Sequence, residues 1–298
     1  MQSTHLSKYL KLHFIILIWG FTAVLGALIQ LDYFSLTWYR MGLAVLFLGF
    51  YIATKNELRR SIAQLNFKDH LRLILGGIII ALHWIAFFYA IKVSNVSITL
   101  ITLSTGAFFT SLLEPLFFKR KIYFYEVLFG ILILGGFFVL VEVEEIKYKG
   151  IIFGLIAAFL SGLFSVINGI YIREKQGIIL SFFQLLYGFL FLTIVLFFSG
   201  KIYHLPMPSY TDWIYLIILA SICTAYAFTA SISLMKYLSP FTVMISINLE
   251  PVYGIILAVL ILGDKEKMSP GFYIGGLIIL IIILLNAYVK YFKKSKAE

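Results

Sequence analysis

A carboxylate, Glu250, stands inside a long apolar run, among residue types that handle charged or polar small molecules. Thr242, Ser246, Glu250 and Tyr253 follow i, i+4, i+8, i+11 spacing, which puts four polar side chains on one face of a continuous helix. Pro251 comes next and has no N–H, so the carbonyl of Ile247 loses its usual helical partner. A polar stripe beside an unmatched carbonyl suits a cavity wall, because lipid satisfies neither. Glu250 in that position can bind a proton, a cationic substrate group, or both. It can equally be a structural carboxyl, protonated and hydrogen-bonded to a neighbouring helix. The residues leave both readings open.

A charge at the centre of a bilayer costs about 2.5–3.5 kcal/mol even on the lenient insertion scale, so every other one needs a reason too. Arg40 can pair with a substrate carboxylate or with an acid such as Glu250, or it can snorkel to the headgroups. Glu114 lies near Lys119 and Arg120, where a local ion pair is the simpler expectation. His83 and Trp84 sit mid-span with Tyr89 further along; helix packing is the default for them, substrate contact the alternative. Trp19, Asn168, Gln184, Tyr187, Tyr226 and Asn248 are further polar or aromatic candidates within apolar runs. Thr99, Thr102, Gly106 and Thr110 form a milder stripe, a weak signal because such hydroxyls often satisfy only their own backbone.

Other chemistries find no footing. His5, His13, His70, His83 and His204 are scattered, so no metal site is expected, and no cofactor either. A phosphate-cradling G-x-x-x-x-G-K-[ST] loop is missing, which disfavours ATP-driven transport by this chain alone. The single cysteine, Cys223, lies in an apolar segment and cannot form an intramolecular disulfide.

The elements that must position these residues are apolar spans. Of 298 residues, 61% are hydrophobic and 13% charged, well outside the usual soluble range of about 45–50% and 25%. A helix needs roughly 20 apolar residues to cross a bilayer core. Ten stretches qualify: Leu12–Ile29, Leu36–Ala53, Leu73–Ile91, Val96–Phe118, Tyr123–Val141, Ile151–Ile172, Ile178–Phe198, Trp213–Met235, Phe241–Leu262 and Phe272–Val289. The first is read as a retained span rather than a signal peptide, since no small-residue cleavage site follows it.

The net charge of +10 is carried in short gaps between these runs, with no basic domain to read a nucleic acid. Its distribution orients the chain instead. The N-terminal segment, alternate loops and the C-terminal tail hold 17 of the 24 Lys and Arg residues, against six on the other side, with Arg40 inside a span. The positive-inside tendency then puts both termini in the cytoplasm; the membrane expected is of the bacterial inner-membrane kind. Aromatic rings at span ends, such as Trp38 and Trp213, fit the headgroup level.

A weak self-similarity at a spacing near 144 residues links two halves. The segment "FFYAIKVSNVSITLITLSTGAFF" runs parallel to "SISLMKYLSPFTVMISINLEPVY", with Lys92 falling on Lys236 in a very short loop. Each half continues into a charged turn and a Gly-Gly span, at Gly135-Gly136 and Gly275-Gly276. Five spans per half is an odd number, so the second half enters the membrane inverted. Inverted repeats give a transporter two similar halves that exchange shapes around a midplane site. Small residues four apart, at Gly150 and Gly154, Ser161, Ser165 and Gly169, and Gly271 and Gly275, read as helix-packing faces.

These residues resemble the EamA-type permeases of the drug/metabolite transporter superfamily. Trp19-Gly20 in "IWGFTAV", the Arg40 motif "WYRMGLAVL" and "INLEPVYGIILAVLILGDKE" are similar to that family's patterns, in order along the chain. The resemblance implies an all-α integral membrane protein of ten transmembrane helices as two inverted five-helix repeats, residues 1–146 and 147–298. It also implies a central cavity and export or exchange of amino acids or other small metabolites by alternating access. The pair Glu114-Pro115 lies about two turns beyond the position matching Glu250-Pro251, so no family role passes to Glu114. The partners expected are a small-molecule substrate, the lipid bilayer and a coupling proton. A multi-span membrane enzyme or lipid-handling protein would need clustered acid/base or metal groups at one interface, and a sensor would need an output domain.

Overall fold

The structure, a computed structural model, describes residues 2–119 and 148–295, with the isolated positions 124, 128, 131 and 132. The expected fifth span, Tyr123–Val141, and its Gly135-Gly136 pair lie almost wholly outside the described residues, as do Arg120 and Lys121. Among the described residues, eight spans are long and apolar enough to cross a membrane, each matching one expected from the sequence. Five are single helices: α1 (Gln2–Leu28), α2 (Tyr33–Ala53), α4 (Phe67–Val93), α7 (Tyr148–Tyr171) and α8 (Gly177–Phe198). The final helix α13 (Pro270–Ser295) corresponds to the expected tenth span. The cationic loop after α2 forms a short helix, α3 (Asn56–Ala63), which turns Leu58 and Ile62 to the bundle and leaves Arg59 and Arg60 exposed.

Three of the expected spans are interrupted. The fourth consists of α5 (Val96–Leu103) and α6 (Gly106–Phe118), and the ninth of α11 (Pro240–Ile247) and α12 (Glu250–Leu262). The breaks fall at Ser104-Thr105 and Asn248-Leu249, positions 144 residues apart, but they have different causes. In the ninth span Pro251 cannot donate to Ile247. In the fourth, the hydroxyls of Ser104 and Thr105 donate to the carbonyls of Ile101 (2.6 Å) and Thr102 (2.7 Å), drawing them away from the helical ladder. Both breaks tighten locally: the N–H groups of Thr105, Asn248 and Leu249 bond three residues back rather than four. The eighth span runs from α9 (Tyr210–Ala220) through a π segment (Ser221–Tyr226) into α10 (Ala227–Leu234).

The third and eighth spans start alike. Asn66 with Asp69, and Ser209 with Asp212, form capping boxes that satisfy the first free N–H groups of α4 and α9. The bundle is drawn together by glycine at two close approaches. Gly20 of α1 faces Gly254 of α12, where an added Cβ would lie 3.0 Å from the Gly254 nitrogen. Gly77 of α4 faces Gln184 and Gly188 of α8, where a Cβ would meet the Gln184 carbonyl oxygen at 2.4 Å. Backbone cannot give way as a side chain can. Gly77→Val is therefore expected to destabilise the bundle by about 1–3 kcal/mol, the usual cost of overpacking, read as earlier thermal unfolding in detergent. Unchanged melting would mean that α4 and α8 do not approach this closely.

Candidate functional site

At the centre of the bundle is a cavity with about 70 Å³ of space open to water, walled by residues of α1, α2, α4, α5, α7, α10, α11 and α12. Of the candidates read from the sequence, Trp19, Arg40, His83, Trp84 and Glu250 meet here. Phe87, Phe164 and Phe228 complete an aromatic wall, and Ser161, Ser165 and Ser231 add hydroxyls.

Arg40 is 2% exposed, so it does not snorkel to the headgroups. Its guanidinium lies over the Trp84 ring, 3.9 Å from the centroid, a cation–π contact that compensates part of its desolvation. Its Nε donates to Thr224 Oγ1 at 2.7 Å. Thr224 belongs to the π segment and donates in turn to the carbonyl of Leu219, five residues back, at 2.7 Å. The wide π turn thus sets the hydroxyl that aims the arginine. One amino group, Nη1, has no partner.

Glu250 opens α12 and is 5% exposed. Among the described residues its carboxyl has neither a hydrogen bond nor an ion pair, although Arg40 lines the same space. Arg40 Nη1 is thus a buried donor without a partner, in a cavity that it shares with a carboxyl, whereas buried charges are normally paired or hydrogen-bonded. His83 Nδ1 is 2.8 Å from the carbonyl oxygen of Ala157. A carbonyl only accepts, so Nδ1 carries the proton and Nε2 remains an acceptor. Trp19 Nε1 donates to the carbonyl of Cys223 at 3.3 Å, tying α1 to the π segment.

The other candidates lie elsewhere. Gln184 Nε2 donates to Asn168 Oδ1 at 2.6 Å, a buried pair between α7 and α8. Tyr187 pairs its hydroxyl with His70 Nδ1 at 2.6 Å, and Tyr226 is 45% exposed on the outer surface. Asn248 is buried in the helix break with its amide unpartnered. Ser246 returns its hydroxyl to the Thr242 carbonyl at 3.0 Å, and Tyr253 packs beside Gly20.

The expected stripe of Thr242, Ser246, Glu250 and Tyr253 therefore does not wall the cavity; Val243, Met244, Ile247 and Glu250 do. For Thr242 and Ser246, which precede the break, the tightened turn is the reason. Each residue at three per turn advances about 20° more than at 3.6 per turn, so two such residues shift the phase by roughly 40°. On the fourth span Thr99, Thr102 and Thr110 bond their own backbone, as the weak reading of that stripe held. Sequence reasoning missed Thr224, since a π turn has no sequence signature. It also assigned Ser161 and Ser165 to packing, where the signal for a polar wall was present but shared their four-residue spacing. Glu114 reaches the other half of the chain, accepting from the Phe241 backbone N–H at 2.9 Å.

Comparison with known proteins agrees with this architecture. The model of the EamA-like transporter family matches residues 7–142 and again 148–288, so the family's unit occurs twice in this chain. No curated protein matches the sequence. One solved crystal structure of a protein superposes with a TM-score of 0.68 at 16% identity, covering 95% of this chain and 98% of that one, which speaks to the fold alone. The double match over most of the chain, on a bundle of membrane-length helices, places this protein in the EamA-like transporter family: it is a multi-pass membrane transporter, not an enzyme.

Proposed function

We propose that the protein carries a small zwitterionic metabolite, an amino acid first among them, across the membrane by alternating access. The observation that carries this reading is the meeting in one cavity of Arg40, whose Nη1 has no partner, and the Glu250 carboxyl. An α-carboxylate would take the free guanidinium donor, and an α-ammonium the carboxylate. Trp84, Phe87, Phe164 and Phe228 would receive an apolar or aromatic side chain.

The cavity is far smaller than the roughly 300 Å³ at which ligand pockets begin. Loading therefore requires the bundle to part, as alternating access supposes. The interrupted fourth and ninth spans, broken at repeat-related positions, support the same mechanism, since discontinuous helices are where such carriers bind and bend. Export or exchange is what the family resemblance implies, and Glu250 is the group that would couple it to protons. The cation-rich loops support cytoplasmic termini in an inner membrane of bacterial type.

Purified protein in liposomes, offered a panel of labelled amino acids and other metabolites with and without a pH gradient, tests this. Flux of at least one zwitterion, accelerated by the gradient, is expected. Flux confined to compounds of a single charge sign would remove the zwitterion assignment, and silence across the panel would remove the substrate class.

A further inference from the structure

The two interrupted spans hold each other at both ends. On one face of the bundle Glu266 reaches over the first turn of α5. Its Oε1 accepts from the Val96 N–H at 3.0 Å, and its Oε2 from the Ser97 N–H at 3.1 Å and the Ser97 hydroxyl at 3.0 Å. It is brought there by Gly263, whose φ of +65° turns the chain back after α12 into a 3₁₀ turn (Gly263–Glu266). On the opposite face Glu114, near the end of α6, accepts from the Phe241 N–H in the first turn of α11 at 2.9 Å. Phe241 stands 144 residues after Ser97, so each carboxylate grips the equivalent turn of the other half's broken helix.

A second pair repeats the pattern. Asp69 accepts from Lys175 Nζ at 2.8 Å on the face of Glu114, and Asp212 accepts from the Gln30 N–H at 2.8 Å on the face of Glu266. On one face both carboxylates come from the first half, and on the other both come from the second. The arrangement follows the pseudo-twofold relation of the duplicated halves.

We propose that Glu114 and Glu266 are the positioning residues that close the two opposite mouths of the transport pathway, each released in turn while the other holds. The chemistry suits a reversible latch. The first N–H groups of a helix have no partner within it and carry partial positive charge, so a carboxylate binds them well. When the mouth opens, water can satisfy both sides, which keeps release affordable. The latched segments also reach the site, for α11 supplies Val243, Met244 and Ile247 to the cavity wall, and α5 ends at Leu103, which lines it too. This inference rests on the alternating-access reading and goes beyond it by naming the closures.

The test is sided labelling. Ser231 lines the cavity, and the one native thiol, Cys223, is buried, so the parent chain serves as the blank. Ser231→Cys is introduced into proteoliposomes of known orientation and treated with a membrane-impermeant maleimide from each side, with and without Glu266→Ala or Glu114→Ala. Glu266→Ala is expected to raise the rate from the side of residue 266 relative to the other side by roughly tenfold, the scale of lost charge-assisted hydrogen bonds. Glu114→Ala is expected to do the opposite. Glu266→Gln and Glu114→Gln, which keep one acceptor, should give smaller shifts in the same directions, and they keep the test decisive if an alanine variant fails to fold.

Shifts of the same sign for both residues, or none in folded protein, would overturn the latch. Alternating access fails separately, if Ser231→Cys in the otherwise native chain reacts equally from both sides and no transported compound alters that ratio.

Discussion

Arg40→Lys is expected to cut initial transport rates about 10- to 100-fold while the protein stays folded in the membrane. Arg40 does three things at once. It stacks on Trp84, donates from Nε to Thr224, and presents Nη1 to the cavity. Lysine keeps the charge but presents a single point of donation, so it cannot hold Thr224 and a carboxylate in one fixed fork. Losing a hydrogen bond to a charged group costs about 1.5–3 kcal/mol, which sets the expected range. The loss should fall mainly on apparent affinity for the carboxylate end of the substrate. Amines lacking that group, if carried at all, should be little affected. Arg40→Ala is harsher, since it also removes the packing against Trp84, so a lower melting temperature accompanies it. Native flux kinetics in Arg40→Lys would show that the guanidinium is structural.

The second large effect is expected from Glu250→Gln. The amide preserves shape and one acceptor but can neither bind a proton nor neutralise an ammonium. Flux should become insensitive to an imposed pH gradient, and exchange at fixed pH should fall about 10-fold or more for substrates bearing an α-amino group. Arg40 and His83 line the same cavity, and Arg40 stays charged throughout the working range. Any pH dependence surviving in Glu250→Gln is therefore assigned to His83, whose Nε2 is the acceptor left over from the bond to Ala157. Glu250→Gln combined with His83→Asn should then be flat with pH. Native rate and native pH response in Glu250→Gln alone would end the coupling role of this carboxylate.

The two variants fail in different ways, which makes them informative together. Arg40→Lys should retain a response to the pH gradient at reduced affinity. Glu250→Gln should lose that response first.

The spans, the duplicated plan and five of the cavity residues were legible in the sequence because membrane insertion imposes local rules. Each helix must carry about 20 apolar residues, and each buried charge stands out against that background, as Arg40 and Glu250 did. Pro251 announced one helix break in the same way. The matching break at Ser104-Thr105 did not announce itself, because serine and threonine interrupt a helix only when their hydroxyls turn back to the carbonyls, and that choice is made by the surroundings.

What the sequence determined by itself is the inventory: which segments span, which polar groups they take into the membrane, and the approximate repeat that relates them. What only the tertiary structure decided is rotation and pairing. A change of roughly 40° in helix phase across the break exchanged Ser246 for Ile247 beside Glu250 at the cavity. Packing withdrew Arg40 from the headgroups onto Trp84, and it sent Glu114 to the far half of the chain. Along an all-apolar helix neither the azimuth nor the partner is encoded by hydrophobicity, since lipid and protein interior are equally apolar. Close approaches such as Gly20 to Gly254, and scarce polar bonds between helices, fix both.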